Sequence, residues 1–222
     1  MGYFEGDVKR KAIEDIATCY ECAEDAGIRE HLFVCFGLLL GIVRERDFIV
    51  NDDDVDMGII SERITKAQED RYVQNLVDAD MFFARDRREK RGDTDRYTWF
   101  TLRKRQNRSK FCHWFWINHA GYYWHTKAGK WVNNRKFDGV VDAEFRDDDD
   151  ALMKGIPAWY MKEFQEIDFH GIRINIPVMC GSCADFWYPG WMRPTRSKSA
   201  RTVLCQVPNW HAVDSWKVIV RR

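Results

Sequence analysis

The sequence predicts an α/β (α+β) fold in which a mixed β-sheet is flanked by helices and extended by β-hairpins. Three observations predict it. Amphipathic helical stripes alternate with short apolar runs through the N-terminal part of the chain. From Phe111 to Val132 the chain is rich in aromatic residues that suit a sheet. Turn signals at Lys127–Lys130 and at His170-Gly171 separate apolar runs, which is the pattern of hairpins. At 222 residues the chain fits one domain spanning 1–222. With 45% hydrophobic residues it can build a core without disulfide staples.

Taken in order, Asp7 is placed to cap a helix running to about Ala26, with Ile13, Ile16, Ala17, Tyr20 and Ala23 on one stripe and Gly27 as the stop. Phe33–Phe36 reads as a buried strand, and Gly37 lets the backbone turn into a short helix over 38–43. Asp54-Val55-Asp56-Met57 reads as a strand with Val55 and Met57 toward the core. Ser61 is expected to cap a second helix with Ile64, Ala67, Tyr72 and Leu76 inward. Short strands follow at Met81–Ala84 and Tyr97–Leu102, and the basic runs Arg85–Arg91 and Arg103–Lys110 read as solvated connections. Phe111–Ile117 is a strand whose alternation puts Phe111, His113 and Phe115 on one face and Cys112, Trp114 and Trp116 on the other. Gly121–His125 and Trp131-Val132 form a hairpin. Asp147–Asp150 is a solvated acidic loop. Between Phe164 and Pro177 two short strands meet at His170-Gly171. Tyr188 to Pro194, which holds Pro189 and Gly190, is expected to be a defined turn presenting Trp187 and Trp191.

The chemistry concentrates between Phe36 and Ile59. In an extended segment Asp54 and Asp56 share a side, where two carboxylates repel and lose solvation. A divalent cation resolves that conflict, and aspartate oxygens are the hard ligands Mg²⁺ (or Mn²⁺) takes. Asp52 joins the same side if the strand starts early. The bland reading is a solvated Asp-rich turn. The upstream strand–Gly–helix unit argues for the metal, because a helix N-terminus offers free N–H groups to phosphate. Such a unit followed by a strand bearing Asp-x-Asp is the metal-and-phosphate half of a nucleotidyltransferase.

Gly37, Leu39, Leu40, Gly41 and Arg44, then Phe48-Ile49, then Asp52-Asp53-Asp54-Val55-Asp56 resemble the LicD-type phosphotransferases, the phosphorylcholine-transferase family that includes the fukutin-related proteins. That family's motif runs approximately G-T-L-L-G-x-x-R, F-I-P, W-D-D-D-[IV]-D. Leu38 stands where the family has a small hydroxyl residue, and Asn51 where it has Trp. The segment from Phe169-His170-Gly171 to Pro177, followed by Phe186–Pro194, is similar to the family's closing F-x-G-x-x-[IV]-P, helix and Y-G-x-x-W-x-x-P, with Pro189-Gly190 in place of a Gly-polar pair.

The resemblance implies a nucleotidyltransferase-like sheet and metal-dependent transfer of a phosphorylcholine-like or polyol-phosphate group. The donor would be nucleotide-diphosphate-linked, such as a CDP-alcohol, and the acceptor a hydroxyl of a glycan or other molecule. It implies Asp54 and Asp56 as catalytic metal ligands, with Asp52 or His113 completing the shell. His113 aligns with an aspartate of the family's later strand; Asp138 and Asp142 are the other candidates for that acid. Gly37, Leu38, Gly41, Arg44, Trp187 and Trp191 would bind substrate. Two alternatives stand beside this: a nucleotidyltransferase that leaves NMP on its acceptor, and a non-catalytic carbohydrate-binding module. The latter rests on Leu38 and on the ten tryptophans. Of these, Trp114, Trp116, Trp124, Trp187 and Trp191 lie near inferred site elements and could stack on sugars or quaternary ammonium groups.

Composition narrows the class further. The 35 basic and 35 acidic residues balance, so a phosphate-coating nucleic-acid surface is not expected. No apolar run reaches membrane length, so neither a leader nor a membrane span is expected. Seven cysteines, an odd number, fit reduced thiols and a cytoplasmic setting. Cys19/Cys22 reads as a packed helical pair. Cys180/Cys183, in a loop-to-helix transition, suits metal or redox chemistry better, and the four could meet at one Zn²⁺.

Overall fold

The structure is a computed structural model that describes residues 4–49, 52, 54–91, 94–104, 116–125, 130–133, 156–157, 160, 162–188 and 190–192. Helix α1 (Gly6–Asp25) buries Ala12, Ile16, Cys19, Tyr20 and Ala23. Asp7 does not cap it. The capping position is Glu5, without a side-chain bond, and Asp7 lies in the first turn, ion-paired with Arg10 and Lys11. There it complements the positive end of the helix dipole. Gly27 (φ +69°) ends the helix. Its N–H donates to Glu24 O at 2.9 Å and that of Ile28 to Ala23 O at 2.9 Å, the bond pair of a Schellman motif.

A short 3₁₀ turn (Arg29–His31) leads into β1 (Leu32–Val34), which ends two residues earlier than expected. Helix α2 (Phe36–Glu45) begins at once, with Cys35 as its capping position, and stops at Arg46 (φ +57°). Strand β2 (Asp54–Ile60) runs antiparallel to β1, pairing Leu32 with Ile59 and Val34 with Met57. Ser61 sits in a second 3₁₀ turn (Ser61–Arg63), and helix α3 (Lys66–Asp78) is capped by Thr65. Thr65 has Gln68 three residues on, and the two form a reciprocal capping box. Ser61 is followed at that spacing by Ile64 and cannot form one. Ile64, Tyr72 and Leu76 are buried as expected. Ala67 faces solvent, and Glu69 is buried in its place.

Strands β3 (Met81–Arg91) and β4 (Thr94–Lys104) form a long hairpin. Arg85–Arg91, expected as a connection, is strand. β3 lies at the sheet edge, where charged residues are tolerated and discourage further pairing. Strand β5 (Trp116–His125) continues where the expected 111–117 strand and the following hairpin arm join; residues 111–115 lie outside the described ones. The main order is β1-β2-β5-β4-β3, with β2 and β5 parallel and the other neighbours antiparallel. This makes the sheet mixed, as expected. β6 (Lys130–Asn133) forms the expected hairpin with β5 and also pairs with β7 (Ile156–Pro157). Asp138, Asp142 and Asp147–Asp150 fall outside the described residues.

Strands β8 (Phe164–Phe169) and β9 (Ile172–Pro177) form a separate hairpin. It turns at His170 (φ +52°) and Gly171 (φ +83°), where the sequence put the turn. Helix α4 (Cys180–Trp187) follows. The hairpin is fastened to the main body through Asn175. Its backbone N–H donates to the Tyr20 hydroxyl at 2.9 Å, and its side chain donates to the carbonyls of Arg29 (2.7 Å) and Leu32 (2.9 Å). Phe33 and Phe164 pack across the same junction with ring centroids 4.8 Å apart. Among the described residues no helix is long and apolar enough to cross a membrane.

Candidate functional site: an acidic mouth at the start of α2

The site forms where β1 gives way to α2 beside the first residues of β2. The Cys35 N–H donates to Asp56 O at 3.0 Å, the last backbone tie between β1 and β2. The chain then turns through Phe36, which holds φ +45°, a costly conformation for a bulky residue. Gly37 was expected to make that turn, yet Phe36 carries the left-handed angle. Gly37 is required for a different reason. A Cβ there would collide with the Asp52 carboxylate and lie 3.7 Å from Asp56 Oδ2. Two carboxylates therefore converge over the first turn of α2, and the Gly37 N–H donates to Asp56 Oδ2 at 3.3 Å.

Asp56 is 5% exposed, while Asp52 and Asp54 are half-buried. Asp52 is not an early extension of the strand, since β2 begins at Asp54. A turn closed by Asp52 N–H donating to Ile49 O (2.9 Å) returns it to the mouth. Oxygen donors drawn together at a helix N-terminus suit a hard cation, which commonly takes one or two carboxylates and completes its shell with water and substrate phosphate. Among the described residues no group of three or more His, Cys, Asp or Glu is arranged to hold a metal ion. Asp53 and His113 lie outside them. The parallel register sets Trp116 beside Asp54 and Asn118 beside Asp56.

The remaining candidates stand as follows. Leu38 is buried in the core at 2% exposure. Gly41 lies under the α2–β2 connector: a Cβ there would meet Asp47 O at 2.5 Å and Ile49 N at 3.0 Å. Arg44 pairs with Glu45 (Nε–Oε1 3.0 Å) and donates through Nη1 to Trp191 O at 3.5 Å. The Trp187 ring packs on Phe36, centroids 4.8 Å apart and tilted by 46°, so α4 abuts the residue preceding Gly37. Tyr188 N–H donates to Ala184 O (2.8 Å), Trp191 N–H donates to Tyr188 O (3.0 Å), and Gly190 holds φ +77°. The bond between Trp191 and Tyr188 falls in the stretch where a turn was expected; Pro189, Arg193 and Pro194 lie outside the described residues. Among the described residues Cys19, Cys22, Cys35, Cys180 and Cys183 form no disulfide, and Cys183 Sγ donates to Tyr160 O at 3.6 Å.

Two features escaped sequence reasoning. The first is Tyr188. Burial raises its phenol pKa well above the usual value, and the charges of Asp56, Asp52, Cys35 and Asp54 push the same way. The phenol therefore stays neutral. The available signal was its place in the Trp187–Trp191 turn, where the tryptophans drew attention instead. The second is the fastening of the connector that carries Asp52. Asp47 accepts from Lys9 Nζ (2.6 Å) and Phe48 N–H (2.8 Å), and His170 Nε2 stands 2.8 Å from its Oδ1. Burial raises the Asp47 pKa, but these hydrogen bonds outweigh it and hold the carboxyl below its ordinary range. Phe48 stacks on Phe4 (4.8 Å) and packs against Phe169 (5.2 Å). The two stretches that carried the family resemblance, far apart in sequence, meet here.

No curated protein matches the chain. The family model described as LicD/FKTN/FKRP, nucleotidyltransferase domain, matches residues 29–178. That span takes in β1, α2, the aspartates and the β8–β9 hairpin, and stops before α4. Matched over more than half its length, the chain belongs to the LicD/FKTN/FKRP nucleotidyltransferase-domain family, whose members are generally transferases.

Proposed function

We propose that the protein is a divalent-cation-dependent phosphotransferase. It would move a phospho-alcohol group, phosphorylcholine-like or polyol phosphate, from a CDP-linked donor to a hydroxyl of a glycan or other acceptor. The observation that carries this reading is the convergence of Asp52 and Asp56 over Gly37 at the N-terminus of α2. The family's transferase character and the parallel β2–β5 pair, whose first strand carries Asp54 and Asp56, support it.

Asp54 and Asp56, with Asp52 or His113, would hold Mg²⁺ or Mn²⁺. When bound, the ion neutralises charge on the donor's phosphates. The chain's own groups divide the rest of the work. The N-terminal end of α2, whose Gly37 N–H already donates to Asp56, would turn its positive dipole end toward the anionic donor. Arg44, now shared between Glu45 and the Trp191 carbonyl, can exchange either partner for a phosphate oxygen. Trp187 and Trp191 would wall the pocket with faces suited to a sugar or a cationic head group. The test is mass spectrometry of products after incubation with a panel of CDP-alcohols, hydroxyl acceptors and Mg²⁺. Release of CMP with phospho-alcohol on the acceptor is the expected result. NMP on the acceptor would instead make the protein a nucleotide-adding enzyme. Equal product from wild type and Asp56→Asn would remove the aspartates from the reaction.

A further inference from the structure

The connector between α2 and β2 delivers Asp52 to the mouth, and it is held from a part of the chain that the site has not so far involved. Asp47 O and Ile49 N close over Gly41, where a Cβ would meet them at 2.5 and 3.0 Å, so this stretch of the connector rests on α2. The turn that returns Asp52 to the mouth starts there, with Asp52 N–H donating to Ile49 O at 2.9 Å. Where Asp52 lies therefore depends on how residues 47–49 are held.

Two groups of the N-terminal segment hold them. Phe4, 3% exposed, stacks on Phe48 with centroids 4.8 Å apart and planes inclined by 25°. Lys9, in the first turns of α1 (Gly6–Asp25), donates from Nζ to Asp47 Oδ2 at 2.6 Å. The β8–β9 hairpin touches the same two connector residues, through Phe169 on Phe48 and His170 at Asp47 Oδ1. The connector is thus gripped between the start of the chain and that hairpin.

An aspartate carried on a loop can retreat from a second carboxylate, and mutual repulsion favours its doing so. Fastening the loop offsets that tendency before a cation arrives, and a site organised in advance binds at lower cost. A cationic side chain placed on Asp52 or Asp56 itself would compete with the ion. Lys9 sits on Asp47 instead, five residues before Asp52 in the chain, and leaves the mouth to the metal.

We propose that Phe4 and Lys9 are positioning residues of the aspartate site, gripping Asp47 and Phe48 so that Asp52 stays beside Asp56 to receive a divalent cation. This rests on the reading that the aspartates hold such a cation. Both residues precede the span 29–178 matched to the family, so a segment outside that span completes the site within it.

The test titrates Mn²⁺ alone into the full chain by calorimetry, well below the unfolding temperature recorded for each variant without metal. The double variant Phe4→Leu/Lys9→Met keeps apolar bulk and stem length but removes the stacked ring and the charge. It is expected to bind Mn²⁺ about tenfold more weakly than wild type. Thr65→Ala, which deletes the capping box of α3 and lowers stability away from the site, is expected to keep wild-type affinity. Wild-type affinity in the double variant, or equal weakening in Thr65→Ala, overturns the assignment and leaves the aspartate reading standing. If the double variant does not fold, Lys9→Met decides alone: a loss of about threefold supports the grip, and wild-type affinity overturns it. Should wild type bind no Mn²⁺, or Asp56→Asn bind it equally well, the aspartate reading fails and this proposal with it.

Discussion

At the N-terminal end of α2, the carboxylates of Asp52 and Asp56 converge over Gly37. Past its C-terminal end, the carboxylate of Asp47 faces Lys9 and His170. Both ends hold acids, and both are places where distant parts of the chain meet. At Asp47 opposite charges are matched at a partly exposed surface, which fastens a loop and contributes modestly to stability. At the mouth like charges are gathered, one of them almost fully buried, an arrangement that a fold does not need for its own sake. The contrast separates an acid that holds the structure from acids that the structure holds.

The sharpest way to break this comparison is to remove charge at the mouth. Asp56→Asn keeps the shape and the bond from the Gly37 N–H while deleting one member of a repelling group. Turnover should fall below detection, and the metal-free unfolding temperature should hold or rise. Asp54→Asn should behave alike. The paired readouts are product formation and thermal unfolding. Wild-type turnover in both variants would show that the acids are not the site.

Gly37→Ala tests the same mouth through space. Its added methyl would occupy the position of the Asp52 carboxylate, so Asp52 must be displaced. Because the atom displaced is the end of a side chain and Ala suits a helix better than Gly, stability should change little, while Mn²⁺ affinity should fall. Calorimetry and urea unfolding check it. A variant with unchanged Mn²⁺ affinity would mean that Asp52 is free to leave without consequence.

These outcomes bear on what a sequence can disclose. The Asp-x-Asp strand was legible because alternation alone places Asp54 and Asp56 on one side and Val55 and Met57 in the core. The His170-Gly171 turn was legible because it lies between two short apolar runs that pair locally. Asp52 was harder: its place depends on a turn closing on Ile49, not on strand period. The left-handed angle fell on Phe36, where no residue-type rule would put it, because the helix must start as soon as β1 ends. Tyr188 and Asp47 take their meaning from partners distant in the chain, which local pattern does not reveal. The charged length of β3 was misread for the same reason, since only its position at the sheet edge makes it acceptable.

Trp191→Ala sharpens the boundary between site and scaffold. Truncating a fully buried Trp costs about 3–5 kcal/mol. Trp191 is half-buried, and its bond to Arg44 is made by the backbone carbonyl, which the substitution keeps. The shift in urea midpoint should therefore correspond to less than that core range, with KM for the donor or acceptor raised. A full core-sized loss with unchanged KM would make Trp191 packing alone.

The smallest effect is expected at Asp47. Its folded pKa is depressed, so its contribution to stability is fully present above the unfolded value of about 3.9. That contribution is lost as pH falls through the lower, folded value. Asp47→Asn removes it at every pH. The variant should be less stable than wild type at neutral pH, by roughly 0.2–1 kcal/mol for a pairing this exposed. The two unfolding curves should converge as the solution is acidified below the ordinary carboxylate range. High salt should narrow the neutral-pH gap as well, because screening weakens partly exposed pairs. Thermal unfolding of both proteins across an acid series, at low and high salt, gives the measurement. A gap that stayed constant through that series would mean that the amide in Asp47→Asn fails for reasons of shape, and that charge matching does not fasten the connector.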